Sequence, residues 1–161
     1  MGRFAATHRT GCDRRRYALA LGIVLALVAV PAAAVFIVSE PWVRPAASVR
    51  TTEAYMVLTS TEGATLVGAR SEIAVGVATY AAGKNPVRIE RLPLPAGQMV
   101  KLHPGGLRLG LRDLARPLKL GDRVPLVLTI EAADGKRQEI PVNAEVRRRS
   151  PIDDELRAHK H

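Results

Sequence analysis

Leu94-Pro-Ala-Gly-Gln-Met-Val-Lys-Leu-His-Pro-Gly-Gly-Leu-Arg-Leu-Gly-Leu-Arg-Asp-Leu114 is the stretch whose reading decides the fold. In Met99-Val-Lys-Leu102 and Leu107-Arg-Leu-Gly-Leu111 the apolar side chains alternate with Lys101, Arg108 and Gly110, so one face of each segment belongs to a core and the other to solvent. Pro104-Gly-Gly106 joins them as a turn between two strands, and it lacks the strand-to-helix setting that a phosphate-binding loop requires.

The same pattern of short β-rich runs and turn residues continues outward in both directions. Val35 to Arg44 reads as a first strand, Ala54-Tyr-Met-Val-Leu-Thr59 as a second, and Thr65 to Ala69 and Glu72 to Tyr80 as the next two. Gly83, Asn85 and Pro86 close the last of these, and Val87, Ile89 and Leu92 form a further strand ended by Pro93 and Pro95. Val124 to Glu131 and Gln138 to Val146 flank Ala133-Asp-Gly-Lys136, a tight-turn signal that predicts a terminal hairpin. No stretch carries a helical period, so the spacing predicts an all-β domain, a two-sheet sandwich with Greek-key connections.

At 161 residues the chain suits one core. Of its formal net charge of +9, four units precede Tyr17, where Arg3, Arg9, Arg14, Arg15 and Arg16 face only Asp13. With six aromatic residues and no helix-turn-helix, RNA-binding or zinc-knuckle spacing, the surplus does not point to nucleic acid. The single cysteine, Cys12, cannot form an intrachain disulfide, and the rest of the chain is free of thiol chemistry.

Tyr17 to Val38 is an uncharged run behind Arg14-Arg15-Arg16, the layout of an export segment with its amino end inside. Either Ala18 to Val30 is the apolar part of a signal peptide cut after Ala32-Ala33-Ala34, or the whole run is an uncleaved signal anchor, for which about 20 apolar residues suffice. The expected organisation is therefore 1–34 as signal peptide or signal anchor, 35–147 as the β-sandwich domain and 148–161 as a charged flexible tail. The protein is then exported, and either periplasmic or anchored to the cytoplasmic membrane facing outward.

Three segments carry a family likeness. Val38-Ser-Glu-Pro-Trp-Val-Arg-Pro45, Ala54 to Thr59, and the carboxy-terminal half from Pro95-Ala-Gly97 through Pro104-Gly-Gly106, Leu111 and Pro117-Leu-Lys-Leu-Gly-Asp122 to Val124-Pro-Leu-Val-Leu128 resemble the periplasmic copper chaperones of the PCu(A)C family. The resemblance implies a cupredoxin-like Greek-key β-sandwich, Cu(I) as the bound ion, and delivery to the copper centre of a respiratory oxidase or to another copper protein. The family's ligands are a His or Met and a Met, followed further on by a His-x-Met pair. In this chain their positions fall at Gly76, Val87, Arg108 and Gly110, with the interval between Val87 and Arg108 one residue short of the family's.

None of the four is a metal ligand. Cu(I) prefers thioether and imidazole donors, and the guanidinium of Arg108 is permanently charged and has no lone pair to give. Met99 and His103, four apart on one strand and so on one face, are the best substitutes. Met56 reads as core filler, and His159 and His161 lie in the charged tail. No Gly-x-Ser-x-Gly or His-Glu-x-x-His motif is present, and Asp153-Asp-Glu155 has no partner for acid–base work, so no enzyme is expected. Two functions follow: a copper chaperone-like protein that binds or delivers Cu(I) in the cell envelope through substitute ligands, or a metal-free adaptor. The adaptor would dock an acidic protein or an anionic lipid surface through Arg88, Arg91, Arg108 and Arg112 at the outer face of the membrane.

Overall fold

The computed structural model describes residues 35–151 except Lys84. The expected export segment, 1–34, with Cys12, and the expected tail from Ile152 onward, with His159 and His161, lie outside the described residues. The described residues belong to the second of two units into which the chain divides, Ala32–His161.

The described residues form ten strands: β1 (Phe36–Val43), β2 (Thr51–Ser60), β3 (Ala64–Arg70), β4 (Ala74–Tyr80), β5 (Arg88–Ile89), β6 (Leu92–Leu94), β7 (Met99–Leu102), β8 (Arg108–Leu114), β9 (Arg123–Ala132) and β10 (Arg137–Val146). They make one hydrogen-bonded path, β5-β4-β8-β2-β1-β10-β9-β3-β6, with β7 on β2 beside β8. The path curls over into a nearly closed sandwich. Alternation explains how it does so. Along β2, Ala54, Met56 and Leu58 are fully buried, and along β9 so are Val124, Leu126 and Leu128, each set on the inner face of its strand. With Leu109 and Leu111 of β8 they share one apolar core.

The β9–β10 hairpin forms as expected, Glu131 opposite Arg137, with Gly135 at φ +80 in the turn. Met56 is core, with no exposed surface.

One expected strand divides. Val87 to Leu92 is not a single element, because β5 pairs with β4 and β6 pairs with β3, at the two ends of the sheet path. Pro93, expected to end a strand, lies inside β6 opposite Thr65. A proline is tolerated there because β6 is an edge strand, where a missing N–H leaves no ladder bond broken. In β1 the register slips between Ser39 and Trp42, with Glu40 at φ +54, a bulge that brings Trp42 opposite Tyr55.

Candidate functional site

The outer face of β2, β8 and β4 carries the positions at issue. Register sets Glu53 opposite Gly110 and Gly110 opposite Ala78, with Arg112 opposite both Thr51 and Gly76, and Arg108 opposite Tyr80. Three of the four positions expected from the resemblance, Gly76, Arg108 and Gly110, thus share one face of neighbouring strands. Val87 lies in the loop just before β5, and its neighbour Pro86 lines the same hollow, of about 360 Å³, as Arg108, Gly110 and Arg112.

Arg108 is the centre of this face. Its side chain is only 13% exposed, and its Nε lies 2.9 Å from Oε1 of Glu53. Its Nη1 donates to the carbonyl of Ala81 at 3.3 Å and to that of Gly106 at 3.2 Å. One guanidinium thereby joins β8 to β2, to the loop after β4 and to the Pro-Gly-Gly turn. Glu53 is also approached by Arg44 at 3.7 Å and accepts a hydrogen bond from the Tyr55 hydroxyl. Burial pushes the Tyr55 phenol far above its ordinary range, and the bond to Glu53 adds to the shift, so the hydroxyl stays a donor. Tyr55 is fully buried although it faces away from the main core, because Trp42 packs on it with ring centroids 4.6 Å apart and the Arg44 guanidinium lies 5.7 Å from its ring centroid.

Two glycines are fixed by rings. A Cβ on Gly110 would come within 2.7 Å of Cε2 of Tyr80, and one on Gly106 within 2.3 Å of Nε2 of His103. Tyr80 in turn accepts a hydrogen bond from Arg112, whose guanidinium sits 5.6 Å from the ring centroid. A methionine at position 110 has no room while Tyr80 lies there.

Met99 and His103 do not lie on one continuous strand. β7 ends at Leu102, so His103 leaves the strand on which its pairing with Met99 depended. Its ring turns onto Gly106, with Nδ1 3.1 Å from the carbonyl oxygen of Pro104. Four residues at a strand rise of about 3.3 Å also separate the two Cα atoms by roughly 13 Å, since sharing a face does not make residues i and i+4 neighbours. Met99 is 66% exposed. Among the described residues no three His, Cys, Asp or Glu side chains converge as a metal site.

The four arginines of the expected basic surface divide between two hollows. Arg108 and Arg112 line the one described, whereas Arg88 and Arg91 line another together with Arg137. Arg108 and Arg91 are each held by a carboxylate, Glu53 and Glu131 respectively. Sequence reading missed Glu53 and Tyr80. Both lie on the outer side of their strands, but their meeting with β8 depends on a register that only the folded sheet reveals.

The sandwich, its Greek-key path and this outer face define a cupredoxin-like domain of the PCu(A)C type. More particularly, the chain belongs to the LpqE-like family ("Putative lipoprotein LpqE-like"), whose family model matches residues 36–143. Its fold is similar to that of the apo PCuAC domain from PmoF1, at TM-score 0.60 and 23% identity over 70% of this chain and 92% of that one. The copper-bound PCuAC domain from PmoF2 gives 0.59 and 24% over 71% and 95%. The Cu(I)-DR1885 solution structure from Deinococcus radiodurans gives 0.56 and 28% over 73% and 82%. No curated protein sequence matches the chain.

Proposed function

We propose that this chain is an exported, copper chaperone-like protein of the cell envelope that acts without catalysis, as a docking module whose β4–β8 face carries an arginine clamp where its family carries copper ligands. The observation that supports this most is Arg108, a permanent cation bound to Glu53 and two carbonyls at one ligand position, beside a glycine that Tyr80 covers at another. Those residues do not fit Cu(I), which would meet a like charge and no soft donor. The partner that the PCu(A)C resemblance implies is a copper protein of the envelope, such as a respiratory oxidase copper centre, and two similar structures hold copper themselves. Arg112, held in place by Tyr80 and without a carboxylate partner among the described residues, offers that partner's acidic surface a fixed guanidinium.

Attachment to the membrane would come from the apolar run itself. A lipid carried on a cysteine that follows an export segment has no acceptor in these 161 residues, because Cys12 precedes Tyr17 to Val38.

A second reading, Cu(I) carriage through Met99 and His103, draws on the exposed Met99 thioether. Titration with Cu(I) under reducing conditions against a chelator of known affinity separates the two. No binding tighter than micromolar is expected. Tight binding that persists when Met99 and His103 are both replaced by Ala would overturn the docking reading, and tight binding lost on that replacement would favour the second.

A further inference from the structure

β3 and β4 are consecutive strands joined by the short turn Ser71 to Ile73, the connection that ordinarily makes a hydrogen-bonded hairpin. Here only the bridge between Ser71 and Ala74 forms, and the two strands then part. β3 is paired with β9 along one edge, while β6 covers the other edge only over Ala64 to Leu66. β4 is paired with β8 along one edge, while β5 covers the other only at Thr79 and Tyr80. Two bare edges, 67–70 and 75–78, are therefore left at the place where the curled sheet fails to close.

The seam between them is a cavity of about 490 Å³, floored by small residues such as Gly68, Ala69 and Ala78 and edged by Arg88, Arg91 and Arg137. Its polarity is set by the backbone. Ala81 N–H donates to the carbonyl of Val87 on the β5 side at 2.8 Å, and in an extended strand alternate residues turn their N–H and C=O to the same edge, so Val77 presents both toward the seam. Bare edge groups of this kind are a template for another strand.

The rim carries a positive excess. Arg91 and Arg137 share the Glu131 carboxylate at 2.5 and 3.1 Å, and Arg88 has no carboxylate partner among the described residues. Glu90 is the single acidic residue of the lining.

We propose that this seam takes up an extended acidic segment of a partner protein as an added strand between β3 and β4, with main-chain hydrogen bonds supplying affinity and Arg88 selecting carboxylates. Such a strand closes the sandwich. This site is separate from the clamp face and does not depend on the function read from it. A lipid headgroup fits less well, because it cannot satisfy a row of backbone donors and acceptors.

The test uses the full chain in nonionic detergent with the synthetic peptide Glu-Val-Glu-Val-Glu-Val, and with Lys-Val-Lys-Val-Lys-Val as its counterpart. The acidic peptide is expected to slow hydrogen exchange at the Val77 amide by about ten-fold or more, and the basic one to leave it unchanged. Val77→Pro removes the seam-facing donor while sparing the β4–β8 ladder, checked at the Gly110 amide, and is expected to abolish binding. Arg88→Glu leaves no partner stranded, so the chain stays folded, and binding is expected to weaken roughly ten-fold.

An unprotected Val77 amide, or equal affinity in Arg88→Glu, would overturn the proposal. So would a Val77 amide already protected in the free chain and released when residues 148–161 are removed, since the chain's own tail would then fill the seam.

Discussion

Leu109 and Leu111 point inward from β8, while Arg108, Gly110 and Arg112 point outward, and different physics decides the two sets. The inner pair is fully buried in the common core and answers only to volume and apolarity. The outer three answer to particular partners: Glu53 for Arg108, the Tyr80 ring for Gly110 and the Tyr80 hydroxyl for Arg112. A fold therefore survives wholesale exchange of the outer residues, and a binding chemistry does not.

The contrast is broken most severely from inside. Leu111→Ala is expected to cost about 2–5 kcal/mol in chemical denaturation, by lost burial and the cavity left behind. A loss below about 1 kcal/mol would mean that β8 does not anchor the core.

Next comes Glu53→Gln, which keeps shape but leaves the half-enclosed Arg108 without its counter-charge. About 1–2 kcal/mol is expected, and the Tyr55 phenol, still raised by its burial, should titrate closer to its ordinary range, because the negative charge beside it is removed and an amide oxygen is a weaker acceptor than a carboxylate. An unchanged ultraviolet titration of Tyr55 would contradict the network.

Gly110→Ala is expected to swing Tyr80 off its present rotamer at a cost of about 0.5–1.5 kcal/mol, visible as a changed near-ultraviolet tyrosine signal. Smallest on stability is Arg112→Ala, within about 0.5 kcal/mol. Its effect should fall on partner binding, and equal affinity in pull-down with an acidic partner would remove Arg112 from the docking face.

Acid acts elsewhere, on surface carboxylates. The backbone N–H of Lys119 and then Arg116 hold Asp122 below the usual range, Arg91 and Arg137 do so for Glu131, and Arg70 for Glu139. Groups lowered on folding stabilise the protein above the ordinary carboxylate pKa of about 4, and that contribution is lost as pH falls through their folded values. Thermal midpoints should hold down to about pH 4 and drop below it. A fall that begins near neutrality would implicate another group.

The inner face was legible in the sequence because alternation is local. Leu109, Leu111, Leu126 and Leu128 declare their side of the strand within a few residues. The terminal hairpin was legible through Asp134 and Gly135 for the same reason. β5 and β6 were not, since nothing in Val87 to Leu92 says that its halves pair with strands at opposite ends of the sheet. On the outer face, Gly76, Val87, Arg108 and Gly110, where the resemblance puts the ligand positions, stand in the sequence itself, but the partners of Arg108 and Gly110 do not. Glu53 lies 55 positions before Arg108, and the two meet only through the β2–β8 register. The shared face of Met99 and His103 was read from a strand running on to His103, whereas β7 ends at Leu102.

The central proposal is that Arg108 closes the face on which the resemblance puts the copper ligands. The most direct test is the nuclear magnetic resonance signal of the Arg108 Nε–H, followed while one equivalent of Cu(I) is added under reducing conditions. A slowly exchanging signal is expected that does not move with the metal and is lost in Glu53→Gln. Displacement of that signal, together with the amides of Leu109 and Gly110, on addition of Cu(I) would contradict the account.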